Sequence, residues 1–176
     1  MIINKKATLL VLALLGAGMV EAQCSKEHLY CDKGKDKNFQ ISNQSKSASF
    51  GPGEEHEMSM ILYSGLAYRI SFCTSSEEFE GKIEFELYTM KSKQVYDPKN
   101  DRETYVREPE VLYRNREDNM NQVIEFQADG TKKIYLKVFV PEGASEGGKK
   151  NKLAAADVVC VGVLVQHMKG TNTGFH

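Results

Sequence analysis

Residues 67–73 alternate along the chain, with Tyr68, Ile70 and Phe72 on one side and Arg69 and Ser71 on the other. A period of two is that of a strand with one face buried. The same pattern returns after Gly81, where Ile83, Phe85 and Leu87 oppose Lys82, Glu84 and Glu86. It returns again in residues 132–140, where Ile134, Leu136, Val138 and Val140 oppose Lys133, Tyr135, Lys137 and Phe139. Residues 121–128 hold a further strand, and Asp129-Gly130 after it is a hairpin-type turn pair. Short strands are expected at 39–41, 47–50, 57–63 and 110–114, with residues 92–96 continuing or pairing with the strand before them. Residues 157–166 are apolar on both faces, which suits a strand in the middle of a sheet. Gly51-Pro52-Gly53 and Gly65 punctuate the pattern as turns. Residues 97–109 read as a long charged loop, 116–119 as a polar turn and 142–152 as a mobile Gly- and Lys-rich loop. The fold class that follows is all-β, a two-sheet antiparallel β-sandwich of about eight to nine strands.

The N-terminus breaks this pattern. Lys5 and Lys6 precede an uncharged run, residues 7–19, and Val20-Glu21-Ala22 follows. These are the three parts of a secretory signal with cleavage after Ala22. The run is shorter than the roughly 20 residues that span a bilayer. Glu21 and Gln23 argue against a lipid attachment at Cys24. The expected organisation is a signal peptide (1–22), a polar disulfide-stapled lead-in (23–37), a sandwich domain (38–168) and a flexible tail (169–176). The protein is then secreted or periplasmic, with no transmembrane segment in the mature chain. Losing the signal moves the net charge from −1 to −2. That near-neutral balance gives no electrostatic reason to expect nucleic acid as a partner.

All four cysteines, Cys24, Cys31, Cys73 and Cys160, lie beyond the signal. An even count in an exported chain reads as two disulfides. No Cys-x-x-Cys spacing supports zinc. Proximity in the lead-in favours Cys24–Cys31, which leaves Cys73–Cys160 to join two strands. Unbroken alternation through Phe72 puts Cys73 on the outer face with Arg69 and Ser71. The Cys73–Cys160 bond is therefore expected across the outer face of one sheet, between antiparallel neighbours. A slip of parity near Cys73 would instead send it through the core.

The order of these signals carries a family resemblance. Phe50-Gly51-Pro52-Gly53 is followed by an apolar strand, by Gly65 with Tyr68-Arg69-Ile70, by the strand ending in Leu87 and by a long polar insertion. Ile124 and Phe126, then Ile134-Tyr135-Leu136 with Val138, complete it. Over roughly residues 38–166 this resembles the jelly-roll-like sandwich of bacterial prepeptidase C-terminal domains and of small secreted bacterial proteins. The resemblance implies a non-catalytic accessory role.

Candidate chemistry is sparse. No Gly-x-Ser-x-Gly motif marks a nucleophile, and Glu77, Glu78, Glu80, Glu84 and Glu86 read as the wet face of a strand rather than as a glycosidase pair. No catalytic residue is assigned. Glu54, Glu55, His56 and Glu57 form a charged turn, in which neighbouring side chains point to opposite faces. Asp97, Asn100 and Asp101 offer oxygens of the kind calcium takes, but Lys99 interrupts the EF-hand spacing. No other cofactor is expected. Asn43-Gln44-Ser45 is a glycosylation sequon in a eukaryotic host. The better hint is a cluster of Tyr88, Tyr96, Tyr105 and Tyr113 with Arg102 and Arg107, residue types enriched at interfaces and, for tyrosine, suited to stacking on sugars. The expected function is a non-catalytic binding or structural module with a protein or cell-envelope partner. A carbohydrate-binding module and a small secreted hydrolase are the alternatives.

Overall fold

The structure, a computed structural model, describes residues 24–51, 53–76, 79, 82–141 and 159–170. The signal (1–22), the Gly- and Lys-rich loop (142–152), Glu77, Glu78, Glu80 and the tail beyond Gly170 lie outside the described residues. Among the described residues, nine strands form two antiparallel sheets. They are β1 (Gln40–Ile41), β2 (Lys46–Phe50), β3 (Glu55–Leu62), β4 (Leu66–Thr74), β5 (Glu84–Asp97), β6 (Arg102–Arg114), β7 (Val123–Gln127), β8 (Lys132–Phe139) and β9 (Val159–Lys169). The first sheet runs β1-β9-β4-β7, with β2 also on β9. The second runs β3-β8-β5-β6.

The expected sandwich is present, but most connections cross between its sheets. The Asp129-Gly130 turn does not close a hairpin: β7 pairs with β4 and β8 with β3 and β5, so this turn carries the chain from one sheet to the other. Turn chemistry marks a reversal of direction, not the sheet in which the next strand finds its partner. The direct hairpin among the described residues is β5–β6, and it corrects a second expectation. Residues 97–109 are not a loop. β5 and β6 pair from Glu86↔Arg114 to Asp97↔Arg102, with one shift of register between Leu87 and Tyr88, around a turn at 98–101. Charge masked the strand because both faces of this ribbon meet water, so no apolar alternation was needed.

The core lies between the sheets. Ile70 and Phe72 from β4 and Val161, Val163 and Val165 from β9 meet Phe85, Leu87, Ile134 and Leu136 from the other sheet. The rings of Phe72 and Phe85 stack across the interface with centroids 3.7 Å apart. Each of these side chains, moved from water into the core, contributes about 1.5–3 kcal/mol. One free sheet edge is blunted by a side chain. Gln44 accepts from the Ile61 N–H (2.7 Å) and donates to the Ile61 carbonyl (3.0 Å), occupying the outer edge of β3.

The outer face of the β4–β9 sheet is not wet. The lead-in lies across it, with a 3-10 turn at Glu27–Tyr30 packed on β9 and β4. This is why β9 is apolar on both faces. Val161, Val163 and Val165 face the core, while Leu164 and Gln166 are buried beneath the lead-in. Arg69, expected on a polar face, is only 5% exposed. Its guanidinium donates to Glu125 (2.7 Å) and to the Lys33 carbonyl (2.6 Å), and lies 4.2 Å from the Phe39 ring centroid. Gly34, at φ +66°, passes so close that a Cβ there would fall 2.3 Å from the same guanidinium.

The disulfides are Cys24–Cys160 and Cys31–Cys73, with Cα separations of 5.1 and 5.0 Å. The expected pairing is overturned, although the strand placement behind it stands. Cys73 and Cys160 do lie on neighbouring antiparallel strands of one sheet. The register, however, sets Cys73 opposite Gly162, two residues from Cys160. Such a diagonal separates Cα atoms by about 7–8 Å, beyond a disulfide's reach. Each strand cysteine reaches instead for the lead-in above it. Gly162, between the two bonds, allows that approach: a Cβ there would lie 2.6 Å from the His28 backbone nitrogen. Gly162→Val should therefore lift the lead-in and cost about 2–3 kcal/mol, the scale of an overpacked core, read as a lower urea midpoint at unchanged slope.

Candidate functional site

The β5–β6 ribbon separates the tyrosines that the sequence brings together. β5 pairs with β8 only from Glu84 to Tyr88; beyond that, β5 and β6 have only each other. A shift of register between Leu87 and Tyr88 leaves Leu112 as the extra residue on β6. Directly opposed residues share a face, and faces alternate along a strand. Past the shift, Tyr88, Met90, Gln94 and Tyr96 therefore share one face with Arg107 and Tyr105. Arg102 falls on the other face, with Val95 and Val106. Before the shift, Tyr113 is paired with Leu87 and points toward the core.

These positions have different surroundings. Tyr96 and Tyr105 are the open ones, 61% and 71% exposed. They lie diagonally across the ribbon, because Gln94 is opposite Tyr105 and Tyr96 is opposite Glu103. The Tyr96 hydroxyl donates to Asp101, which raises its pKa. The opposite face is tied by Lys91–Glu110 (2.9 Å) and Lys93–Glu108 (3.4 Å). As exposed pairs these add little stability, but they help hold the two strands in register.

Tyr88 is buried at the base of the ribbon. Its ring stacks on Tyr135 at 5.0 Å and its hydroxyl donates to Glu57. That hydrogen bond to a carboxylate, with burial adding to it, pushes the Tyr88 pKa up to about 12 from an ordinary 10.0. Tyr113 lies 5.7 Å from Phe85, ring to ring, and donates to Asp118 (2.7 Å); burial first, and that carboxylate second, raise its pKa too. For an acid whose folded pKa is raised, the protonated form is favoured by folding. Its contribution is complete below pH 10 and is lost as pH rises through the folded value. Ultraviolet titration should show a tyrosine class ionising near pH 12, which Tyr88→Phe diminishes, with stability falling between pH 10 and 12.

The other candidate groups are occupied by local contacts. In the turn at 98–101, Asp97 accepts from the Lys99 N–H (3.0 Å) and from Asn100 Nδ2 (2.7 Å), and the amide of Asn100 is the larger cause of its lowered pKa. Asp101 accepts from Tyr96. Among the described residues no group of three His, Cys, Asp or Glu side chains is placed to hold a metal ion. Glu84 and Glu86 pair with Arg116 and Arg114 on the outer face of their sheet. Glu54 accepts from the Gly51 N–H, the first cause of its lowered pKa, and sits 3.4 Å from His56.

One feature escaped the sequence reading. A cleft of about 430 Å³ opens between β7, the edge of the first sheet, and the β5–β6 base of the second. Leu62, Leu87, Leu112, Ile124, Phe126 and Ile134 line it together with Asp118, Glu125 and Lys132. The available signal was the parity of Lys132 with Ile134 and Leu136, which puts a lysine on the core side of β8.

No family model and no curated protein matches this chain. Among solved structures it is similar to a chain of the "Glycosylation Associate Protein (Gap123) complex from Streptococcus agalactiae". The match has 12% sequence identity and a TM-score of 0.29, over 82% of this chain and 25% of that one. This chain thus spans about a quarter of the length of the chain it matches. A likeness of that size assigns neither fold nor function. What the fold itself defines is a disulfide-bonded antiparallel β-sandwich bearing a projecting two-stranded ribbon. No helix among the described residues is long and apolar enough to cross a membrane.

Proposed function

We propose that this protein is a non-catalytic binding module exported to an oxidising compartment, secreted or periplasmic. The ribbon is its contact surface, and its partner is a protein or a cell-envelope component. The carrying observation is the ribbon itself. Tyr96, Tyr105 and Arg107 occupy one face of a two-stranded arm that extends past the sandwich. Tyrosine and arginine are the residue types on which interface energy concentrates. Two disulfides in one small domain support export, because such bonds persist outside the reducing cytosol. The non-catalytic reading fits the accessory role implied by the resemblance to prepeptidase C-terminal domains.

The test is a proximity cross-link from the ribbon in native culture, using the chain without its first 22 residues. Tyr96→Ala/Tyr105→Ala should reduce specific capture at least tenfold, about 1.4 kcal/mol of binding, with an unchanged melting temperature. Equal capture by this variant would remove the ribbon from the proposal. The exposed Tyr96–Tyr105 pair also favours a second reading, a carbohydrate-binding module. Glycan-array signal lost in the same variant, without a captured protein, would select it.

A further inference from the structure

β6 is the outer strand of its sheet. It pairs with β5, and no described strand pairs with its other side. One residue decides which backbone groups that side leaves open. Pro109 stands opposite Met90 and has no N–H to give, so the two cannot exchange ladder bonds. Bonded and unbonded pairs alternate along antiparallel strands. Ser92–Arg107, Gln94–Tyr105 and Tyr96–Glu103 are then unbonded pairs as well. The N–H and C=O groups of Glu103, Tyr105 and Arg107 therefore turn away from β5. Such an edge can accept another strand. The free side of β5 beyond Tyr88 carries Lys91 and Lys93, which discourage pairing there. Residues 102–108 of β6 have no lysine, no proline and no bulge.

The charges on this edge match their own reverse. Outward from Tyr105, Thr104 mirrors Val106, Glu103 mirrors Arg107 and Arg102 mirrors Glu108. Within one chain these charges are poorly answered. Arg102 and Arg107 make no ion pair with any described residue. The Glu103 carboxylate accepts from the neutral Gln94 amide, and Glu108 has an exposed contact with Lys93 at 3.4 Å. The geometry points to a second copy of this chain as the occupant of the edge, its β6 antiparallel to the first, with Tyr105 opposite Tyr105 on the two-fold axis. Glu103, Tyr105 and Arg107 of each copy then exchange backbone hydrogen bonds with the same residues of the other. Glu103 faces Arg107 on one side of the ribbon and Arg102 faces Glu108 on the other, and each pair occurs twice by symmetry. Pro109 ends the ladder. Each chain has a single β6 edge, so pairing about a two-fold axis closes at a dimer. The association uses backbone and charge and is read on the purified protein alone, so it stands or falls separately from capture of a partner by the tyrosine face.

Sedimentation equilibrium of the chain from residue 23, with its disulfides intact, tests this. A monomer–dimer equilibrium should appear, with a dissociation constant between roughly 1 μM and 1 mM, as suits a small polar interface. Arg107→Glu sets like charges opposite each other twice and should weaken the dimer by about tenfold or more. Glu103→Arg/Arg107→Glu restores opposite charges in the reverse order, and should restore the dimer. Both residues are exposed, so the variants should keep the parent melting temperature. Mild oxidation checks the register. Tyr105→Cys should give a disulfide-linked dimer, because directly opposed bonded residues bring Cα atoms to about 5.5 Å. Arg102→Cys, about 20 Å from its own counterpart, should not. A monomer at every concentration, a dimer indifferent to Arg107→Glu, failure of the reversed pair to restore it, or cross-linking by Arg102→Cys as ready as by Tyr105→Cys would each overturn the inference.

Discussion

Cys24→Ser/Cys160→Ser should lower the melting temperature by roughly 10–20 °C. The bond it removes spans 136 residues and ties the start of the described chain to its last strand. In the chain-entropy account, closing so long a loop contributes about 5 kcal/mol, and a domain near this size loses about 2–4 °C per kcal/mol. The double variant leaves no free thiol to exchange. Cys31→Ser/Cys73→Ser, with a separation of 42, should cost less by the logarithm of the loop length. Both bonds fasten the lead-in over one face of β9 and β4. The first variant should thus also raise hydrogen exchange at Leu164 and Gln166, which that segment buries. Non-reducing peptide mapping should recover Cys24 with Cys160 and Cys31 with Cys73. Recovery of Cys24 with Cys31 would refute the covering role of the lead-in.

Asn115→Ala should destabilise the protein by about 2–4 kcal/mol. Asn115 is fully buried just after β6, as the first residue of a 3-10 turn at Asn115–Glu117. Its Oδ1 accepts from the Phe85 N–H at 2.9 Å and its Nδ2 donates to the Ile83 carbonyl at 2.8 Å. The side chain thereby supplies a missing rung to the start of β5. Alanine strands the Phe85 amide, leaves the Ile83 carbonyl with Gln122 alone, and opens a small void. Unsatisfied buried groups cost about 1–3 kcal/mol each. Asn115→Asp separates hydrogen bonding from packing. It keeps the acceptor but turns a carboxylate oxygen toward a carbonyl, so it should be at least as damaging despite its equal size. Chemical denaturation of both variants measures this. A loss below about 1 kcal/mol for alanine would mean that water replaces the rung.

How much of this was legible depended on how many neighbours each residue answers to. The strands at 67–73 and 132–140 were plain because one buried face imposes a period of two on the sequence. Residues 157–166 read as a central strand because burial on both faces imposes apolarity throughout. The β5–β6 ribbon was missed beyond residue 97 because burial asks nothing of its outer half. A hydrogen-bonded backbone tolerates DPKNDRETYVREP as readily as any polar sequence. The candidate site was legible as a composition, four tyrosines with nearby arginines, and not as a surface. A one-residue shift between Leu87 and Tyr88 decides which tyrosines share a face, and such a shift leaves no mark in a sequence read one strand at a time.

Alternation and turn residues along the chain already specify the all-β class, the sandwich, about nine strands, the core-facing set of each regular strand and four cysteines able to form two bonds. Those properties are local, since alternation and turn chemistry act within a few residues. Packing in three dimensions set which sheet each strand joined, that the lead-in covers β9 and β4, and therefore which cysteines meet. It also decided that Arg69 is buried and that Lys132 shares a cleft with Asp118 and Glu125. These depend on through-space distances between segments as many as 136 residues apart. Loop-closure free energy varies only slowly with such separations, so proximity along the chain is a poor guide to which partners meet.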